Sequence, residues 1–262
     1  MPRLTRPSNA AAADPQFLEG VARGLRVIDA FSRASRALTL SEAAKLAELP
    51  RATTRRVLYT LEKLGFVASD GKLFWLTPRV LTLASAFLSS NQITTIIQPV
   101  LDKIAIETQE VCSAAILDGN DVVFIGRATP ARVFSTGLEL GYRLPAHCTS
   151  VGRVLLGGLT DEELSKTIGR LDLHAATPQT VTDKSVLKAL IVAARTQGYA
   201  LVDQEAEPGF RSISVPIRRS DGTVVAAMNI GAHVDRISVG QMIDVYRRLL
   251  LAGAEEIQPL LI

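Results

Sequence analysis

Cysteine is scarce, with two residues in 262, Cys112 and Cys148, far apart in the chain. That excludes a disulfide-stapled scaffold and a Cys-x-x-Cys metal or redox pair. Histidine occurs three times, at His147, His174 and His233, never at the spacing of zinc ligands. No Gly-rich phosphate loop and no nucleophile elbow is present. No apolar run reaches the roughly 18 residues of a membrane helix. The first fifteen residues are rich in Ala, Pro and Arg and lack the apolar centre of a signal peptide. These absences lead us to expect a cytoplasmic protein that uses no metal and no cofactor.

What is present is an ordinary globular composition, 47% apolar and 21% charged, in a chain long enough for two domains. The charge is unevenly spread. Lys and Arg outnumber Asp and Glu by 13 to 7 through residue 80, and are outnumbered 16 to 19 beyond it. A basic N-terminal third on a slightly acidic body points to one module that meets a polyanion and one that does not.

After a disordered tail (1–16), residues 17–77 are expected to form an α-rich winged helix-turn-helix domain. Leu18, Val21, Leu25 and Ile28 recur at helical spacing and predict a first helix with one apolar stripe. Thr39-Leu-Ser-Glu42 reads as a capping box opening a short second helix. Past the break at Leu49-Pro50, a third helix is predicted over about 51–64, with Val57, Leu58, Leu61 and Leu64 inward. Its outer, cationic side carries Arg51, Arg55, Arg56 and Tyr59. A short helix, a tight turn and a basic helix form the arrangement that sets a recognition helix in the major groove. There Arg forks onto guanine edges, and Thr53 and Thr54 are expected to donate to phosphate. The Asp-Gly turn before Lys72 predicts a hairpin, the wing, whose Lys72 joins the DNA contacts.

Residues 78–90 read as an apolar linker helix that packs against another copy or the first helix. Residues 91–262 predict an α+β domain with a mostly antiparallel sheet and helices on one side. The expected strands lie at 111–117, 122–126, near 133–136, 212–218 and 224–230. The expected helices are 93–108, from about 149, from 160, 185–197 and 238–257.

Within this domain Cys148, Thr149 and Ser150 fall at a helix start, where free amides and the dipole favour a carboxylate. Ser212, and Asn229 on the neighbouring strand, offer hydrogen bonds from a sheet face. The residues alone leave two functions open. One is a ligand-responsive DNA-binding regulator. The other is an enzyme acting on a small aromatic or dicarboxylic acid, with Cys148 as nucleophile and the N-terminal domain merely regulatory.

Three separated segments, 49–58 (LPRATTRRVL), 144–156 (LPAHCTSVGRVLL) and 198–216 (GYALVDQE…FRSISVP), resemble the IclR family of bacterial regulators. Within it they are most similar to the branch controlling protocatechuate, 4-hydroxybenzoate and β-ketoadipate catabolism. The resemblance implies a GAF-like effector domain and a homodimer or dimer of dimers bound to double-stranded promoter DNA, with RNA polymerase a further candidate partner. It implies a small organic-acid effector held by Cys148, Thr149, Ser150, Asp203, Ser212 and Asn229, with His147 beside them.

Overall fold

The computed structural model describes residues 14–261 except 33, 35, 91 and 131–139, so most of the expected tail and the expected strand near 133–136 lie outside the described residues. The chain divides into two compact units, one through residue 91 and one from Gln92.

In the first unit, α1 (Glu19–Ser32) leads to β1 (Leu38–Thr39), α2 (Leu40–Ala47) and α3 (Arg51–Lys63). The capping box at Thr39 and Glu42 is formed, with Thr39 N–H donating to Glu42 at 2.8 Å. A left-handed residue, Glu48 (φ 53), turns the chain into α3. Strands β2 (Val67–Ser69) and β3 (Leu73–Leu76) form the predicted hairpin, and β1 adds a third antiparallel strand that local sequence patterns do not signal. Helix α4 (Leu81–Ser90) closes this unit.

The inward faces differ from expectation in two places. Helix α1 buries Val27, Ala30 and Phe31, while Leu18, Val21 and Leu25 of the predicted stripe are 70%, 58% and 48% exposed. The stripe is real but is a surface of this unit. In α3 the core side is Thr54, Leu58 and Leu61, and Leu64 lies outside the helix and exposed. Thr54 comes inward because it stands four residues before Leu58, one turn along the same face.

The second unit is a six-stranded antiparallel sheet in the order β6-β5-β4-β9-β8-β7. Its strands are β4 (Val111–Asp118), β5 (Asp121–Ala128), β6 (Arg143–Pro145), β7 (Ala200–Asp203), β8 (Phe210–Arg218) and β9 (Val224–His233). Helices cover both faces, not one. On one face α5 (Ile93–Thr108) and the C-terminal helix pack Ile97, Leu101 and Leu250 on Ile213, Val215 and Met228. On the other, α6 (Ser150–Gly157), α7 (Asp161–Arg170) and α8 (Lys184–Gln197) pack Leu155, Leu164 and Ile191 on Ala115, Phe124 and Ala227. This follows from β9, which from Val224 to Ile230 is apolar at every position but Asn229, the pattern of a strand buried on both sides. The expected C-terminal helix is present, with one irregular turn inside it. A π turn at Met242–Tyr246 separates Val239–Gln241 (α9) from Arg247–Ile257 (α10).

The α10 contact with α5 depends on Gly253. A Cβ there would lie 2.8 Å from Val100 Cγ1 and 3.0 Å from Ile104 Cδ1. Gly253→Val should therefore destabilise this unit by about 1–3 kcal/mol through overpacking, seen as a lower urea midpoint. An unchanged midpoint would mean that the α5–α10 contact is loose.

Candidate functional sites: a basic helix and a cavity on the sheet

The first unit presents one face of α3. Arg51, Arg55, Arg56 and Tyr59 are exposed there, and Lys72 stands exposed in the hairpin turn. The Lys63 ammonium sits 5.4 Å from the Tyr59 ring centre, so a cation and an aromatic ring share this surface. Thr53 is half-buried. Thr54 is fully buried, and its hydroxyl donates to the Pro50 carbonyl at 3.2 Å. It is a core and helix-start residue, so its expected phosphate contact is corrected. In the hairpin turn, Asp70 accepts from the backbone N–H of Leu73 and Lys72, and these bonds hold its carboxyl below the ordinary carboxylate range. The turn is thereby fixed with Lys72 outward.

The second unit encloses a cavity of about 430 Å³ between α6 and the sheet, within the usual range for small-molecule sites. Strand register explains its floor. Arg127 on β5 lies opposite Ser113 on β4, and Ser113 lies opposite Asn229 on β9. One row further, Val111 faces Gly231, which faces Ser212, which faces Val202. Directly opposed residues point to the same side of a sheet, so two adjoining rows supply polar and small side chains to one surface. Phe124, Tyr142 and Phe210 add three aromatic rings to the lining.

The roof is the start of α6. Thr149 caps it by accepting from Gly152 N–H at 3.1 Å, and its hydroxyl also reaches the Pro145 carbonyl at 3.3 Å. The Ser150 hydroxyl is 2.7 Å from that of Ser212 and ties roof to floor. Cys148, Thr149 and Ser150 all line the cavity, as do Ser212 and Asn229. The Oδ1 of Asn229 is buried and has no hydrogen-bond partner among the described residues. A buried acceptor left in that state costs about 1–3 kcal/mol, which a ligand donor would recover.

A buried ion pair fixes this arrangement. Arg153 on α6 donates to Glu205 at 2.6 Å, both side chains at least nine-tenths buried. Glu205 also accepts from Val181 N–H at 3.1 Å, and the Thr177 and Thr180 hydroxyls hold the carbonyls of Gln204 and Glu205. Gly152 allows the close approach beneath. A Cβ there would fall 2.0 Å from the Ala146 carbonyl oxygen, a clash with backbone.

Two expected ligand contacts are corrected. Asp203 alternates with Val202 along β7, so it faces the opposite side of the sheet and pairs with Arg211 at 3.1 and 3.2 Å. His147 is buried and does not line the cavity. Its Nε2 lies 3.1 Å from the His174 carbonyl oxygen. Desolvation lowers its pKa, which favours the neutral ring. Ser113, Arg127 and the three aromatic rings were not anticipated. Ser113 carried a faint signal as the one hydroxyl in the strand Val-Cys-Ser-Ala-Ala-Ile-Leu.

Burial and the nearby Glu205 carboxylate push the Cys148 thiol up to about 11. Its Sγ lies 3.7 Å from the Pro145 carbonyl oxygen. A nucleophilic cysteine needs the thiolate, and this environment disfavours it.

Comparison with known proteins agrees with a two-part reading. Residues 20–71 match the IclR helix-turn-helix domain, and residues 85–259 match the family described as bacterial transcriptional regulator IclR C-terminal. The chain is 41% identical to the Pca regulon regulatory protein of Pseudomonas putida, over 98% of this chain and 94% of that one. It is similar to the crystal structure of the PobR inducer-binding domain from Acinetobacter, a double mutant in complex with 3-hydroxybenzoic acid. That match has 32% identity and a TM-score of 0.61, and covers 64% of this chain and 98% of that one. It also resembles an IclR homologue from Microbacterium hydrocarbonoxydans complexed with 4-hydroxybenzoate. There the identity is 26% and the TM-score 0.78, with 91% of this chain and 97% of that one covered.

Arg153→Ala should destabilise the second unit by about 3–5 kcal/mol, because it leaves the Glu205 carboxylate buried and unpaired. Adding Glu205→Ala should restore part of that loss, and a fully additive double variant in urea unfolding would mean the two groups do not interact.

Proposed function

Because the chain belongs to the IclR family of bacterial transcriptional regulators, we propose that α3 reads promoter DNA and that the cavity binds a small aromatic acid whose presence changes promoter affinity. The observation that carries this reading is the cavity. It combines three aromatic rings, a cluster of hydroxyls and an unsatisfied amide oxygen beside a capped helix start. A flat ring suits the aromatic walls, the hydroxyls and the guanidinium of the lining suit a carboxylate, and a ring hydroxyl suits Asn229 Oδ1. The relatives whose descriptions name hydroxybenzoates favour the same ligand class for this chain. A β-ketoadipate-pathway acid is the second candidate, favoured by the relative named for the Pca regulon.

On the DNA side, Arg51, Arg55, Arg56 and Tyr59 enter the major groove, and the hairpin acts as a wing whose Lys72 touches phosphate. The chain acts as a homodimer. Leu18, Val21 and Leu25 on and beside α1, and Leu81, Leu83 and Phe87 on α4, are large apolar side chains left exposed in a single copy, and a second copy buries them. Two-fold pairing would then set two recognition helices on two half-sites. The acid acts by binding one arrangement of the dimer better than the other, which shifts an existing equilibrium.

In a thermal-shift titration, saturating 4-hydroxybenzoate or protocatechuate should raise the unfolding temperature. A ligand at about 100 times its Kd adds about 2.7 kcal/mol to the folded state. Ser212→Ala should weaken the effect, and no shift with either acid or with β-ketoadipate would overturn the effector assignment. Arg55→Ala with Arg56→Ala should cost about 1–3 kcal/mol of duplex affinity for each base the arginines read, measured on a duplex selected with the wild-type protein. Unchanged affinity would move the DNA site off α3.

A further inference from the structure

Arg127 is the cationic group of the described cavity lining. It stands on β5 at the end of the floor row that runs through Ser113 to Asn229. Burial disfavours its charged form, so a bound anion stabilises the guanidinium more here than at a hydrated surface.

The backbone of this residue is held in an unusual way. Among the described residues strand β6 pairs with β5 at Asp121–Val123 and the preceding turn bonds Phe124, so Arg127 lies beyond that reach. Gln98 of α5 takes the place of a neighbouring strand. Its Nε2 donates to the Arg127 carbonyl at 2.9 Å and its Oε1 accepts from the Arg127 N–H at 3.3 Å. The same Nε2 lies 2.9 Å from Asp102 Oδ1, one turn along α5, which steadies the amide. Gly126 makes the approach possible, since a Cβ there would lie 2.9 Å from Leu101 Cδ1 and 3.4 Å from Gln98 Oε1. A register shift at Ala114/Ala115 marks the same part of the β4–β5 pairing.

The remainder of the α5 face against the sheet is apolar, through Ile97, Leu101 and Ile104. Apolar contacts tolerate small sliding, whereas a paired amide bond weakens steeply with distance and angle. A movement of β5 at Arg127 therefore reaches α5 through Gln98. Helix α5 begins at Ile93, shortly after α4 ends at Ser90, so it heads the second unit where the chain arrives from the first.

We propose that Arg127 receives the carboxylate of the bound aromatic acid and that Gln98, clamped to the Arg127 backbone, transmits the occupied state into α5 and thereby to duplex affinity. Arg127 is the ligand contact, and Gln98 is a positioning residue that never touches the ligand. The inference rests on the effector reading above and adds an anchor and a route of regulation to it.

The test compares full-length wild type, Arg127→Met and Gln98→Met, with 4-hydroxybenzoate and its neutral analogue 4-hydroxybenzamide as probes. Calorimetry reads probe binding, and fluorescence anisotropy reads affinity for the selected duplex. Wild type should prefer the acid to the amide, and Arg127→Met should bind the two alike. Gln98→Met should bind the acid as wild type does yet lose its effect on duplex affinity, a change of about 5-fold or more in wild type. An Arg127→Met protein that still prefers the acid, or a Gln98→Met protein with the full wild-type change, overturns this inference alone. A wild type that binds neither probe overturns the effector reading beneath it. Should Gln98→Met fail to fold, Gln98→Glu keeps the acceptor for the Arg127 N–H and removes the donor to its carbonyl. A full wild-type response in that variant overturns the proposal equally.

Discussion

The cavity depends on how the start of α6 is seated. Gly152 lies so close to the Ala146 backbone that no side chain fits between them, and Arg153, the next residue, is locked to Glu205 in the interior. One contact sets the approach of the helix start to the turn before it, and the other ties the helix to the segment after β7. With both in place, Thr149 is free to cap the helix and Ser150 meets Ser212 across the gap. A buried ion pair is a poor source of net stability, because desolvation offsets most of its attraction. What it fixes here is the position of α6 relative to the segment after β7.

The same economy appears across the sheet. One face of β4, β8 and β9 is given to apolar packing under α5 and the C-terminal helix. The other is divided between an apolar region under α6 and α8 and the two rows that floor the cavity. Gly231 belongs to this division. A Cβ on it would lie 2.3 Å from Cζ of Phe210, so the glycine makes room for the end of that ring against the floor. Three of the chain's thirteen Phe, Tyr and Trp residues line this cavity.

Much of this was legible in the sequence where local chemistry decides structure. The capping box at Thr39 and Glu42 and the Asp-Gly hairpin turn form as their residue types require. The motif from Leu144 to Leu156 located the roof of the cavity, and Ser212 and Asn229 located part of its floor. What local patterns could not reveal was set by pairing between distant segments. Arg127 and Ser113 become neighbours of Asn229 only through the β5-β4-β9 order, and Asp203 faces Arg211 because Val202 takes the cavity side. Thr54 shows the same limit at a single helix. Its polarity suggested a surface role, whereas a helix-start hydroxyl can enter the core by donating to the preceding turn. The stripe of Leu18, Val21 and Leu25 is apolar as its spacing indicates, but periodicity cannot say whether such a stripe faces its own core or another copy.

The most direct test of the central claim is a crystal structure of the full chain grown with 4-hydroxybenzoate. The account predicts the ring between Phe124, Tyr142 and Phe210, with polar atoms within hydrogen-bond distance of Ser212 and Asn229. An acid found elsewhere on the chain, with this cavity filled only by water at saturating ligand, would contradict it.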